Sequence, residues 1–181
     1  KSSRVKIRRI FLPDVALKDE VLETLLQQIE EAEVSVEYLS AGEHMTDGAL
    51  QISCLHPYAK KVPEDRNDSS LVLRLSQGDF QMLLTGDLEK SGEDWLVEQA
   101  RPATQNPLRC TILDAGHHGA SNATGEALLD LAQPGVVLIS CGKNNRYGHP
   151  APETLERMQK ADMQVYITMK TGAVIMPCKK G

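Results

Sequence analysis

The stretch Asp114-Ala115-Gly116-His117-His118-Gly119-Ala120-Ser121 decides how this chain is read. It follows the strand-like run Arg109 to Leu113, and a second loop of the same kind, Thr85-Gly86-Asp87, follows Leu83-Leu84 upstream. Each loop offers a side chain that a divalent metal accepts: a carboxylate from Asp87, an imidazole from His117 or His118. Side by side they would make part of a metal site, because ligands in α/β sheets gather outside the carboxyl ends of strands. Other readings stand beside this one. A helix is predicted after Asp87, so the aspartate also suits a helix cap. A surface turn that contains two histidines suits the second loop. On extended backbone the two imidazoles point to opposite sides, which lets one ligate while its neighbour faces substrate.

Outward from these loops the pattern is that of an α/β chain. Val5 to Phe11 alternates as a strand, and Val21, Leu22, Leu25, Leu26 and Ile29 fall on one face of a helix predicted over Lys18 to Ala32. Val34 to Leu39 reads as the next strand, closing a strand–helix–strand unit. Leu50 to Leu55, Ser70 to Leu75 and Phe80 to Leu84 are short strands, the last two joined as a hairpin through Gln77-Gly78-Asp79. Lys60 to Asp68 is a polar loop. Helices are predicted through Trp95 and Leu96, over Thr124 to Ala132, and from Pro152, a good first-turn residue. Gly135 to Ser140, Gln164 to Thr168 and Ala173 to Met176 complete the strands.

Composition narrows the function. With 181 residues the chain makes one domain, residues 1–181, with a substantial core. A net charge of −5 argues against a generally basic surface for duplex DNA, though not against a nucleic acid held at a metal centre. No segment has the roughly 18 apolar residues of a membrane span. Cys54, Cys110, Cys141 and Cys178 are widely spaced, which predicts buried free thiols in preference to a zinc knuckle or a disulfide framework.

A third polar loop, Asn144-Asn145-Arg146-Tyr147-Gly148-His149-Pro150, again follows an apolar strand. His149 suits a general acid or substrate ligand, Arg146 and Lys143 suit a phosphate, and Tyr147 can stack or hydrogen-bond. Turn geometry alone would also account for its Asn and Gly residues. Asn67-Asp68-Ser69-Ser70 reads as a capped turn or as a site rim. His44 and His56 stand alone and receive no role.

Taken in order, Asn67 to Leu73, Leu84-Thr85-Gly86-Asp87, His117 to Ser121 and Gly142 to Pro150 resemble one family: the metallo-β-lactamase-like domain at the C-terminus of ComEC-type DNA-internalisation competence proteins. The resemblance runs from about Ile10 to the C-terminus. Its last motif is fairly specific to this branch, whereas Thr-Gly-Asp and His-His-Gly belong to the wider superfamily. It implies an α/β fold, a four-layer αββα sandwich with a dinuclear metal site at one sheet edge. It implies that Asp87 bridges the metals and His118 is the late histidine ligand. His117 then lies near the substrate, and His149 with Arg146 steadies the phosphate or protonates the leaving oxygen.

The implied cofactor is a divalent metal, zinc or manganese, and the implied activity that of a metal-dependent phosphodiesterase, a nuclease that degrades the DNA strand not imported. The implied partners are single-stranded DNA and, through a transmembrane part outside this chain, the bacterial cell membrane, with the domain on the extracytoplasmic face. The superfamily's early His-x-His-x-Asp-His type motif does not occur. With Lys1 in place of an initiating Met, the chain reads as the C-terminal portion of an N-terminally truncated sandwich. Such a piece is expected to hold an incomplete metal site, to be inactive alone, and to self-associate through exposed sheet edges. A catalytically silent binding or scaffold module, or a hydrolase of a small phosphodiester or ester, are the alternatives.

Overall fold

The run Leu71 to Leu84 folds as the expected hairpin. Strands β5 (Val72–Gln77) and β6 (Phe80–Leu84) pair antiparallel, and the two-residue turn between them places Gly78 at φ +57°. That conformation is nearly free for glycine and costly for other residues. The computed structural model describes residues 6–16, 20–59 and 65–177. Around the hairpin, β3 (His44–Asp47) and β4 (Leu50–His56) continue the antiparallel side. On the other side β7 (Ile112–Asp114), β8 (Val136–Ile139) and β9 (Gln164–Ile167) are all parallel to β6. The result is one mixed seven-stranded sheet in the order β3-β4-β5-β6-β7-β8-β9. A separate parallel pair, β1 (Arg9–Pro13) and β2 (Ser35–Leu39), is connected by α1 (Glu20–Glu31).

Register decides which side of the large sheet is covered. Val72, Leu83, Leu113, Val137 and Ile139 share one face, and all are buried. They join Leu96 and Val97 of α2 (Lys90–Ala100), Leu128 and Leu129 of α3 (Glu126–Ala132), and Met158 of α4 (Pro152–Lys160) in a single core. Each fully buried aliphatic side chain of this kind contributes about 1.5–3 kcal/mol. The opposite face carries Leu73, Leu75, Met82, Leu84, Asp114 and Leu138, all only partly covered.

Several expectations are corrected. Among the described residues no ladder partner holds residues 173–176, and no strand forms there; β9 instead runs into the helical turn α5 (Thr168–Thr171). Strand β7 is shorter than Arg109 to Leu113 suggested, because the N–H groups of Arg109 and Cys110 go to the carbonyls of Asn106 in a loop and Ala132 at the end of α3. Strand β3 was not expected, since its four residues alternate no apolar pattern. On α1 the predicted stripe is only partly buried: Ile29 is covered, while Val21 and Leu25 are exposed. The predicted helix start at Lys18, Val5, residues 60–64 of the polar loop, and Cys178 lie outside the described residues. Among the described residues no helix is long and apolar enough to cross a membrane.

Candidate metal centre

The parallel strands β6, β7 and β8 end side by side, and the three polar loops leave from those ends. The first loop is fixed from beneath. Thr85 is buried, and its hydroxyl donates to the Asp114 carbonyl at 2.9 Å. Gly86 takes φ +58°, and a Cβ there would stand 3.2 Å from the Ser70 Cβ, so glycine permits the close approach of the two loops. The Asp87 N–H donates to the Ser70 hydroxyl at 3.1 Å. Asp87 does not cap α2: Glu89 holds the N-cap position. The carboxylate of Asp87 is thereby left at the surface of the strand ends, about half exposed.

The histidine loop departs from the sequence reading. His117 and His118 are not extended but both left-handed, at φ +45° and +56°, inside a 3₁₀ turn over Gly116–Gly119. For non-glycine residues each such conformation costs on the order of 1–2 kcal/mol. Flanking bonds offset that cost. The His117 N–H donates to the Gly86 carbonyl at 2.9 Å, and the Ala120 N–H donates to the His117 carbonyl at 3.0 Å. Gly119, at φ +81°, cannot be replaced without strain, since a Cβ there would meet the Pro150 Cβ at 2.8 Å.

Each imidazole is oriented by its Nδ1. His118 Nδ1 donates to the Ser140 carbonyl at 2.7 Å, which places the proton on Nδ1 and the lone pair on Nε2. That Nε2 lies 3.8 Å from Asp87 Oδ1. A carbonyl behind a histidine is the arrangement that presents a metal-ligating nitrogen. His117 Nδ1 lies 2.6 Å from Glu89 Oε1. Glu89 also accepts from Asn67 at 3.0 Å and Asn122 at 2.8 Å, so three loops meet on one carboxylate.

The third loop closes the site. Asn145 braces it, accepting from the His149 N–H at 2.8 Å and donating to the His149 and Gly142 carbonyls. The His149 ring stands 5.5 Å from that of His117. Burial lowers the His149 pKa below the ordinary imidazole value, helped by His117 and His118 and opposed by Asp87. Asp114 is shifted the other way: burial raises its carboxyl, Asp87 adds to the rise, and His118 opposes it. A cleft of about 330 Å³ opens between His118, Ser140, Cys141, Asn145, Tyr147 and His149.

Asp87, His117, His118 and His149 are therefore brought together as expected, and Arg146 is not. It is exposed and lies over the Tyr147 ring, 5.3 Å from its centre. Glu89, Asn122, Ser140 and Asn145 take parts in the site that the sequence reading had not given them. Glu89 left a trace in sequence as a carboxylate two residues beyond Asp87, and Asn145 as one of the Asn residues of the third polar loop, read there as turn geometry. His56, given no role, is buried with Nδ1 2.9 Å from the Ser70 carbonyl, and so supports the Asp87 loop from behind.

Asp87 and His118 suit a divalent cation in charge, hardness and orientation. Among the described residues, however, no group of three or more His, Cys, Asp or Glu converges to hold one. A larger cleft, about 480 Å³ between α2 and α3, offers no alternative. Its Glu93 is occupied by the N–H groups of Thr124 and Gly125, its Arg157 by carbonyls, and its Lys90 by Asp94.

Comparison with known proteins gives the arrangement its family. No family model matches the chain. The fold is shared with the metallo-β-lactamase fold protein YhfI from Bacillus subtilis, at TM-score 0.51 and 12% identity over 88% of this chain and 61% of that one. It is shared also with CmlA, a diiron β-hydroxylase from Streptomyces venezuelae, at TM-score 0.56 and 13% identity over 87% and 38%. In sequence the chain is 34% identical over 169 residues to ComE operon protein 3 of Bacillus subtilis (strain 168), which is 93% of the chain. The chain belongs to the metallo-β-lactamase-like domains of ComEC-type competence proteins. Competence protein ComA of Neisseria gonorrhoeae (31% identical over 66% of the chain) and recombination protein 2 of Haemophilus influenzae (28% over 76%) are further relatives of this ComEC-type chain. It spans 21%, 17% and 16% of the length of these three relatives.

Proposed function

We propose that this ComEC-type domain hydrolyses phosphodiester bonds of DNA at a divalent metal centre built on Asp87 and His118. The observation that supports it most is the approach of His118 Nε2 to within 3.8 Å of Asp87 Oδ1, with Nδ1 of the same ring committed to a carbonyl. A bound divalent metal, zinc or manganese, supplies an acidified water and neutralises charge on the attacked phosphate. The chain's own residues do the rest. Asp87 and His118 hold the cation, with the further ligands drawn from water or from beyond the described residues. Glu89 fixes the His117 ring so that Nε2 is the free nitrogen. His149, 5.5 Å from it, completes a pair that handles the proton at the leaving oxygen. Arg146 acts at the rim, where it meets the chain of the substrate outside the reacting group.

We read this activity as part of DNA uptake, acting on the strand that is not imported; the names of the competence relatives support that reading. We place the domain on the extracytoplasmic face, tethered to the membrane by parts of the protein outside this chain. The diiron centre named for the fold neighbour CmlA is in keeping with a metal at these strand ends. The assay is hydrolysis of a single-stranded oligodeoxynucleotide by the full-length protein with Mn²⁺ or Zn²⁺. Wild-type activity and its loss in Asp87→Ala are expected; equal rates in the two proteins remove the assignment. A protein that cleaves a small ester but not the oligonucleotide moves the substrate class.

One observation favours a second reading. Because no third donor converges among the described residues, a silent module that binds nucleic acid without cleaving it is the competing function. Oligonucleotide binding without metal-dependent turnover in the full-length protein would select it.

A further inference from the structure

The loop that closes the site carries an aromatic ring in an unusual position. Tyr147 is 68% exposed, yet it is not a loose surface side chain. Its ring lies nearly parallel to that of His149, at 16° with centres 5.9 Å apart. The Arg146 guanidinium stands 5.3 Å from the Tyr147 ring centre, and Arg146 donates to the Tyr147 hydroxyl at 3.2 Å. The loop beneath is braced by the Asn145 hydrogen bonds to both ends of the turn. Tyr147 and His149 both line the cleft of about 330 Å³ that His118 also lines.

An outward aromatic plane beside a cleft offers a surface on which a planar group can stack. Cationic and aromatic groups at one edge are what a stacked base and its phosphate chain require. We propose that the Arg146–Tyr147–His149 stack is a nucleobase seat. The site then takes single-stranded nucleic acid with one base unstacked onto Tyr147 beside the metal centre. This rests on the phosphodiesterase reading only for what happens next to the base; the seat itself needs no catalysis. Duplex is excluded, because its bases spend their π-faces on one another. The charge balance agrees. At a net −5 the chain has no general excess of positive charge, so stacking is expected to contribute to affinity beside any local phosphate contact.

The test is fluorescence quenching of a short oligodeoxythymidylate carrying one 2-aminopurine, titrated with the protein in chelator. Wild type quenches the probe. Tyr147→Ala weakens binding about 5- to 150-fold, the range for loss of one base–aromatic stack, while Tyr147→Phe and Tyr147→Trp retain it. The same probe in duplex is not quenched. Equal binding by wild type and Tyr147→Ala, or equal binding of duplex and single strand, overturns the seat. A second arm adds Mn²⁺ and compares that oligonucleotide with a fully abasic one. Hydrolysis of the abasic chain at one rate by wild type and Tyr147→Ala, with the alanine variant slower only on the base-bearing chain, supports both seat and activity. No hydrolysis of either chain, with quenching still lost only in Tyr147→Ala, keeps the seat and removes the phosphodiesterase.

Discussion

Glu89 holds the candidate site together, and its removal has a size that can be worked out. Its Oε1 lies 2.6 Å from His117 Nδ1 and accepts from Asn67 Nδ2 at 3.0 Å, while its Oε2 accepts from Asn122 at 2.8 Å. Hydrogen bonds to a charged acceptor contribute about 1.5–3 kcal/mol each when shielded from water. Asn122 is exposed, so its bond counts for little, whereas the Glu89 and His117 side chains are only 19% and 28% exposed. Glu89→Ala should therefore cost about 2–4 kcal/mol, which for a chain of this size lowers the melting temperature by about 5–15 °C. Glu89→Gln can keep its oxygen towards His117 and Asn67 and lose only the outer bond, at a cost of about 1 kcal/mol. Thermal unfolding of the three proteins measures the difference. NMR supplies the local readout: a slowly exchanging His117 Nδ1 proton in wild type and Glu89→Gln, absent in Glu89→Ala. A Glu89→Ala protein that melts within about 1 °C of wild type and keeps that resonance would refute the role given to Glu89.

Gly119→Ala places a Cβ 2.8 Å from Pro150 at φ +81°, and should destabilise by about 2–5 kcal/mol in denaturant unfolding; a neutral variant would contradict the packing of the His149 loop. Burial raises the Glu93 carboxyl above its ordinary value of 4.5, against the lowering effect of the Gly125 and Thr124 N–H groups. The folded state then holds that proton more tightly than the unfolded state, so stability falls as pH rises from the ordinary glutamate value through the raised one. Glu93→Gln should gain on wild type as pH climbs from about 4 towards neutrality, and a melting-temperature difference independent of pH would contradict it. Burial also pushes the Cys54 and Cys110 thiols up to about 11, whereas Cys141 lines the open cleft. Mapped alkylation at pH 8 should modify Cys141 before Cys54 and Cys110 and leave those two intact until the protein unfolds; early labelling of the buried pair would contradict the packing.

Much of this was legible in the sequence because its signals were local. The Gly78-Asp79 turn fixed the hairpin, and apolar runs ending in Gly86 and Gly116 marked strand ends where function gathers. The positions of Asp87 and His118 followed from those strand ends, and their pairing from the family resemblance. What was hidden depended on chain segments far apart. Glu89 meets His117 across 28 positions and Asn122 across 33, a juxtaposition no local pattern encodes. The left-handed backbone at His117 and His118 was hidden too, since tertiary bonds to Gly86 and Ser140 impose a conformation that histidine does not choose. The place of Arg146 was hidden as well: its charge suggested phosphate, while its contact with the Tyr147 ring at the rim is visible only in the structure.

The central claim is that Asp87 and His118 hold a divalent cation at the ends of β6 and β7. Titration with Mn²⁺, followed by loss of its free-ion electron paramagnetic resonance signal, tests this without reference to turnover. In the full-length protein, wild type should take up the ion at this site, and Asp87→Ala and His118→Ala should each weaken uptake about 10-fold or more. Identical titration curves for the three proteins would contradict the account.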